Sequence, residues 1–186
     1  KKCVIVGSIS VKDKGQFYNR LYWIKPDGSF QFYDKRHLFK MGNEDTFYTA
    51  GSEKLIIEYK GWKICPLICY DLRFPVWSKN QKENSYDVLI YVANWPEVRA
   101  YPWKQLLIAR AIENQSYAVG LNRIGIDGNG ISHSGDSAVI NPRGELISTI
   151  QSHEDKTETV GLSYNYLEDF RNLFPVLSDG DQFKIL

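Results

Sequence analysis

Two apolar runs constrain this fold more than anything else in the chain. Residues 62–69 (WKICPLIC) and 87–93 (DVLIYVA) are dominated by β-branched and large apolar side chains without polar alternation. Such runs read as strands covered on both faces. Each stops abruptly on a polar, proline-bearing elbow: Tyr70-Asp71-Leu72-Arg73-Phe74-Pro75 after the first, Asn94-Trp95-Pro96 after the second. Residues 3–9 form another β-branched run with no polar cap or turn before it, which implies that earlier elements precede it and cover its sheet.

The remaining elements follow from turn chemistry and periodicity. Residues 16–24 and 30–33 make a hairpin across Pro26-Asp27-Gly28, and residues 34–51 form a long loop of the kind that is usually functional. A strand over 55–59 precedes the turn at Gly61, and a short helix begins near Val76. The best helix is 102–114, with proline in its first turn and Trp103, Leu106, Leu107 and Ala111 at helical spacing. Residues 116–122 return as a strand, and 127–130 are a turn. Residues 138–141 and 146–150 form a hairpin, 159–162 a last strand, and 164–174 a last helix. Strands alternating with helices, plus hairpins, give a layered α/β (α+β) architecture, and no repeat or linker divides residues 1–186, so one domain is expected.

Composition narrows the function. Lys and Arg number 23 against 22 Asp and Glu, a net charge of +1. No basic excess exists to meet a nucleic acid or an anionic membrane. No apolar run approaches the roughly 18–20 residues that span a bilayer, and no signal segment opens the chain. Three cysteines make no disulfide framework. A cytoplasmic protein is expected. Aromatic residues reach 14%, and many stand beside Pro, Asn and Arg, as pocket residues do, although a core would use them equally.

Cys69 ends an apolar strand at a polar elbow, where a nucleophile leaves the sheet edge and the following N–H faces the same space. Cys3 and Cys65 read as structural cysteines. On spacing alone, Lys35 and Glu44 are solvated surface charges. His37 or His133 could serve as base in a Cys-His scheme, with nothing in the spacing to favour either. A metal site built on Cys65 and Cys69 lacks a second ligand pair.

Three motifs together are more specific than any one. Tyr33-Asp34-Lys35-Arg36-His37-Leu38-Phe39, Leu67-Ile68-Cys69-Tyr70-Asp71-Leu72-Arg73-Phe74-Pro75 and Ala109-Arg110-Ala111-Ile112-Glu113-Asn114-Gln115 occur in that order. Gly135-Asp136-Ser137 and Asn141-Pro142-Arg143-Gly144 follow them. The set resembles the carbon-nitrogen hydrolase (nitrilase) superfamily over essentially the whole chain. Val92-Ala93-Asn94-Trp95-Pro96 and Asn122-Arg123-Ile124-Gly125 are similar to its bacterial omega-amidase branch, which hydrolyses the terminal amide of 2-oxoglutaramate and 2-oxosuccinamate.

The resemblance implies a four-layer αββα sandwich that dimerises through its helical face, and a Glu-Lys-Cys catalytic set with a supporting second glutamate. By motif, Cys69 is the nucleophile, Lys35 the lysine and Glu44 the second glutamate. The oxyanion would be held by Lys35 and the N–H of Tyr70. The first glutamate belongs to a Pro-Glu motif after an earlier strand, so the chain is expected to lack its first two βα units, roughly 60–70 residues. A 2-oxo acid calls for an arginine. Arg99 is the choice, with Asn94, Trp95, Tyr101 and Trp103 around it and Arg73 as alternative. Neither metal nor cofactor is implied, and the partners are a small amide and a second copy of the chain.

Overall fold

The computed structural model describes residues 2–185, and in it the two apolar runs are neighbours in one sheet. In chain order the strands and helices are β1 (Ile5–Asp13), β2 (Gln16–Ile24), β3 (Phe30–Asp34), α1 (Glu44–Phe47), β4 (Ile57–Tyr59), β5 (Trp62–Ile68), α2 (Pro75–Ser78), β6 (Val88–Ala93), α3 (Ala100–Glu113), β7 (Tyr117–Asn122), β8 (Ile124–Ile126), β9 (Ser132–Ser134), β10 (Ala138–Ile140) and α4 (Tyr164–Leu173). The five-stranded sheet has the order β10-β7-β6-β5-β4, and a separate three-stranded sheet runs β1-β2-β3. Strands β5, β6 and β7 are parallel, in a register that aligns Ile68 with Val92 and Val92 with Leu121. Their carboxyl ends therefore lie side by side, the edge at which open α/β sheets bind ligands.

Both faces of the parallel strands are covered, which is why their sequences do not alternate. Cys65, Leu67, Leu89, Tyr91 and Ala118 share one core with Trp103, Leu107 and Ala111 of α3, joined by Leu21 and Tyr33 from the other sheet. The opposite parity, Ile64, Val88 and Tyr117, packs with Trp23 of β2 and Leu167 of α4. Helix α3 sits so close to β7 that a Cβ on Gly120 would come within 2.4 Å of Leu107 Cδ1 and 2.8 Å of Trp103 Cζ2. No helix among the described residues is long and apolar enough to cross a membrane.

Among the described residues strand β1 pairs only with β2, antiparallel, and Ile5 and Ile9 are 64% and 60% exposed. Its partner follows a two-residue turn in which Lys14 and Gly15 both have positive φ (48° and 83°), the geometry that matches strand twist. Two expectations are corrected. The hairpin expected over 146–150 shrinks to one bridge between Ile140 and Leu146. The ladder ends there because Val139 N–H donates to the Ser148 hydroxyl, while the N–H groups of Thr149 and Ile150 go to the Glu158 carboxylate. Residues 159–162 form no strand; Leu162 packs on the second core without a ladder.

Candidate active site

The site begins with a strained residue. Cys69 follows β5 at φ 43°, a left-handed conformation that costs a residue with a Cβ about 1–2 kcal/mol. The backbone then winds into a 3-10 turn over Cys69–Arg73. This elbow turns the Cys69 side chain out of the strand and into a cavity of about 550 Å³ at the carboxyl ends of the parallel strands.

Lys35 reaches the same cavity from the other sheet. It directly follows β3 and is only 2% exposed. Its ammonium donates to Glu44 Oε2 at 2.5 Å. The same oxygen accepts Phe39 N–H at 2.7 Å, and Oε1 takes a longer bond from Asn19 at 3.4 Å. The loop expected over 34–51 thus contains a 3-10 turn and α1, whose first residue, Glu44, faces back onto Lys35. The loop closes where Gly51 N–H donates to Lys35 C=O at 2.9 Å. A Cβ at Gly51 would stand 2.2 Å from Asp34 O.

Burial pushes the Cys69 thiol up from its ordinary value; the Lys35 ammonium and a hydrogen bond from the Asn94 main chain pull it down, while Glu44 and Asp71 push it up. Cys65 is fully buried and its thiol is pushed up to about 12, as expected of a structural cysteine.

Of the residues singled out in the sequence, Tyr70, Arg73, Asn94, Trp95, Arg99 and His133 all line the cavity with Cys69, Lys35 and Glu44. The Trp95 indole donates to Arg99 C=O at 2.7 Å. The guanidinium of Arg73 lies over the Trp95 ring and that of Arg99 over Phe39. Two expected wall residues lie elsewhere. Trp103 is fully buried in the α3 core, its indole donating to Asp136 C=O at 2.9 Å, and Tyr101 is 76% exposed outside the cavity lining. His37 is also outside it, stacked on Phe74 with its ring nitrogen on Asp71.

The chain is similar to known proteins along nearly all its length. The carbon-nitrogen hydrolase family profile matches residues 1–172. The chain belongs to the carbon-nitrogen hydrolase family. It is 48% identical over 182 residues to omega-amidase YafV of Escherichia coli (strain K12), covering 98% of this chain and 70% of that protein. Identity to the 2-oxoglutaramate amidase of Bacillus subtilis is 33% over 177 residues, 95% of this chain and 68% of the relative. The crystal structure of XC1258 from Xanthomonas campestris, a CN-hydrolase superfamily protein with an arsenic adduct in its active site, superposes with a TM-score of 0.96 at 44% identity, covering 100% of this chain and 72% of that one.

In this carbon-nitrogen hydrolase, the cavity residues that had no place in the expected site include Arg123, Asp127, Ile131 and Phe39. Asn122 acts just behind them. Its side chain accepts Trp95 N–H at 2.8 Å and donates to Trp95 C=O at 3.0 Å, clamping that backbone on both sides. Its signal was available: Asn122 ends an apolar parallel strand, as the residues before Cys69 and Asn94 do. Lys35, Arg73, Arg99 and Arg123 outnumber the lining carboxylates, Glu44 and Asp127. Glu44 is already spent on Lys35, and Asp127 Oδ1 accepts the N–H groups of Asn129 and Ile131.

Proposed function

We propose that this carbon-nitrogen hydrolase cleaves the terminal amide of a small 2-oxo acid, 2-oxoglutaramate or 2-oxosuccinamate, to the dicarboxylate and ammonia through a Cys69 thioester. The observation that carries this reading is the meeting, in one cavity, of a cysteine on a left-handed elbow with a buried lysine already charge-paired to a glutamate. The named activities of the Escherichia coli and Bacillus subtilis relatives support the substrate class.

The Cys69 thiolate attacks the amide carbon, and the oxyanion that develops is held by the Lys35 ammonium and the Tyr70 N–H. A donor of this kind lowers the barrier by about 3–4 kcal/mol when it is pre-positioned. The C–N bond breaks as the nitrogen takes a proton, and ammonia leaves. Water then adds to the thioester, the C–S bond breaks, the carboxylic acid is released and the Cys69 thiol is regenerated. Glu44 pairs with Lys35 and holds it in place. The proton transfers need a carboxylate free to exchange protons, which Glu44, held by Lys35, is not. Arg99 pairs with the substrate's 2-oxo acid carboxylate, with Asn94 and Trp95 beside it and Arg73 across the Trp95 ring.

The protein is further proposed to act in the cytoplasm as a homodimer through its helical side, where Tyr101 and Ile112 of α3 are exposed. Sedimentation of the intact protein tests the dimer. For the activity, ammonia release is measured on a panel of small amides. Turnover of 2-oxoglutaramate that disappears in Cys69→Ala is expected; turnover that survives it refutes the mechanism, and preference for an N-carbamoyl compound refutes the substrate.

A further inference from the structure

Asp71 stands two residues after Cys69 and is fully buried, and no step described above uses it. Its carboxylate accepts four hydrogen bonds. Oδ2 takes the Tyr33 hydroxyl at 2.7 Å and the Ile68 N–H at 3.0 Å. Oδ1 takes the His37 N–H at 3.1 Å and the His37 Nδ1–H at 2.8 Å. The Tyr33 hydroxyl in turn accepts the Trp77 indole N–H at 3.0 Å and the Arg36 N–H at 3.1 Å. The partners follow a pattern. Tyr33 and His37 bracket Lys35 at two residues on either side, and Ile68 immediately precedes Cys69. One buried carboxylate therefore ties together the chain segments that carry the ammonium and the thiol, and these come from different sheets.

We propose that Asp71 is the positioning residue that sets Lys35 against Cys69. The inference rests on the reading of those two residues as the catalytic pair. A carboxylate suits the task because it only accepts. Each of its oxygens takes one main-chain N–H, Ile68 on one side and His37 on the other, and neither donor can be reversed. In an asparagine, whichever oxygen became NH₂ would confront one of those N–H groups. The isosteric change must release either the elbow or the lysine segment. The displacement this allows, on the scale of an ångström, costs about 100-fold in rate.

Charge and position have opposite signs here, which separates them by experiment. Lys35 pulls the Cys69 thiol down and Asp71 pushes it up. If Asp71 acted only through space, removing its charge would lower the thiol. If it positions Lys35, removing it weakens the stronger downward pull and the thiol rises. The charged groups facing Cys69 are Lys35, Glu44 and Asp71, with Arg73, Arg99, Arg123, Asp127 and the titratable His133 on the cavity wall.

The experiment follows the pH dependence of Cys69 alkylation by iodoacetamide in the intact protein carrying Cys3→Ser, together with kcat and KM on 2-oxoglutaramate. Asp71→Asn is expected to raise the alkylation midpoint and to lower kcat about 100-fold with little change in KM. A midpoint that falls or stays, or a kcat within about threefold of the parent, overturns the proposal. Should Asp71→Asn not fold, Tyr33→Phe removes one of the two bonds to Oδ2 and is expected to move both readouts the same way by less; no movement overturns the proposal equally. Lys35→Ala separates the two levels. If it leaves midpoint and kcat unchanged, the catalytic pair itself is wrong and this inference goes with it. If it raises the midpoint while Asp71→Asn does not, only the role of Asp71 fails.

Discussion

Removing the Glu44 carboxylate tests how the site holds a buried ammonium. Lys35 is 2% exposed and its ion-pair partner is Glu44 at 2.5 Å. Breaking a buried pair from one side costs about 3–5 kcal/mol because the other charge is left uncompensated. The Glu44 side chain is 21% exposed, so water can follow the deleted carboxylate toward the ammonium, which places Glu44→Ala near the low end, about 3 kcal/mol. Glu44→Gln differs in kind. Its amide oxygen can still accept from both Lys35 and Phe39 N–H, with its NH₂ turned toward a flipped Asn19, so what is lost is charge assistance, about 1–2 kcal/mol. Urea unfolding gives both values from the midpoint at constant slope. Amidase activity should fall in the same order, Ala below Gln. If Glu44→Ala costs under about 1 kcal/mol with an unchanged slope, Lys35 does not depend on Glu44, and the argument from its burial fails.

Other outcomes follow from the same geometry. Arg99→Ala should raise KM for 2-oxoglutaramate by about 10- to 100-fold, the loss of one charged hydrogen-bonding group, with kcat nearly unchanged; an unchanged KM removes Arg99 from the carboxylate site. Because burial dominates the Cys69 thiol and raises it, the resting thiolate fraction at neutral pH lies below that of a free cysteine, so iodoacetamide labelling should keep accelerating beyond pH about 8.5–9; a plateau below pH 8 contradicts that balance. Gly51→Ala places a methyl against the Asp34 main chain, which cannot swing away as a side chain would. It should destabilise by about 1–3 kcal/mol and lower kcat through Lys35, and wild-type activity in a folded Gly51→Ala would show that the loop closure does not set the lysine.

What was legible in the sequence depended on whether a residue's surroundings are local. The strands β5 and β6 announced themselves because a strand covered on both faces has no polar side to show, and Cys69 was visible as a candidate because a strand end is a local feature. Lys35 and Glu44 were not, since their meaning arises only when the 34–51 loop folds back to lay α1 against the end of β3; family resemblance supplied what spacing could not. Trp103 shows the reverse error. Its place in the helical stripe with Leu106, Leu107 and Ala111 already put it on the face of α3 that packs on β7, and that periodic pattern should have outweighed its nearness in sequence to Arg99. Asp71 is illegible in the sequence for a subtler reason. A carboxylate beside a nucleophile invites a chemical role or an ion pair, whereas three of its four bonds come from Tyr33 and His37, 34–38 residues earlier, and the fourth from the Ile68 N–H, and no pattern along one chain segment records that another segment's donors will converge on it.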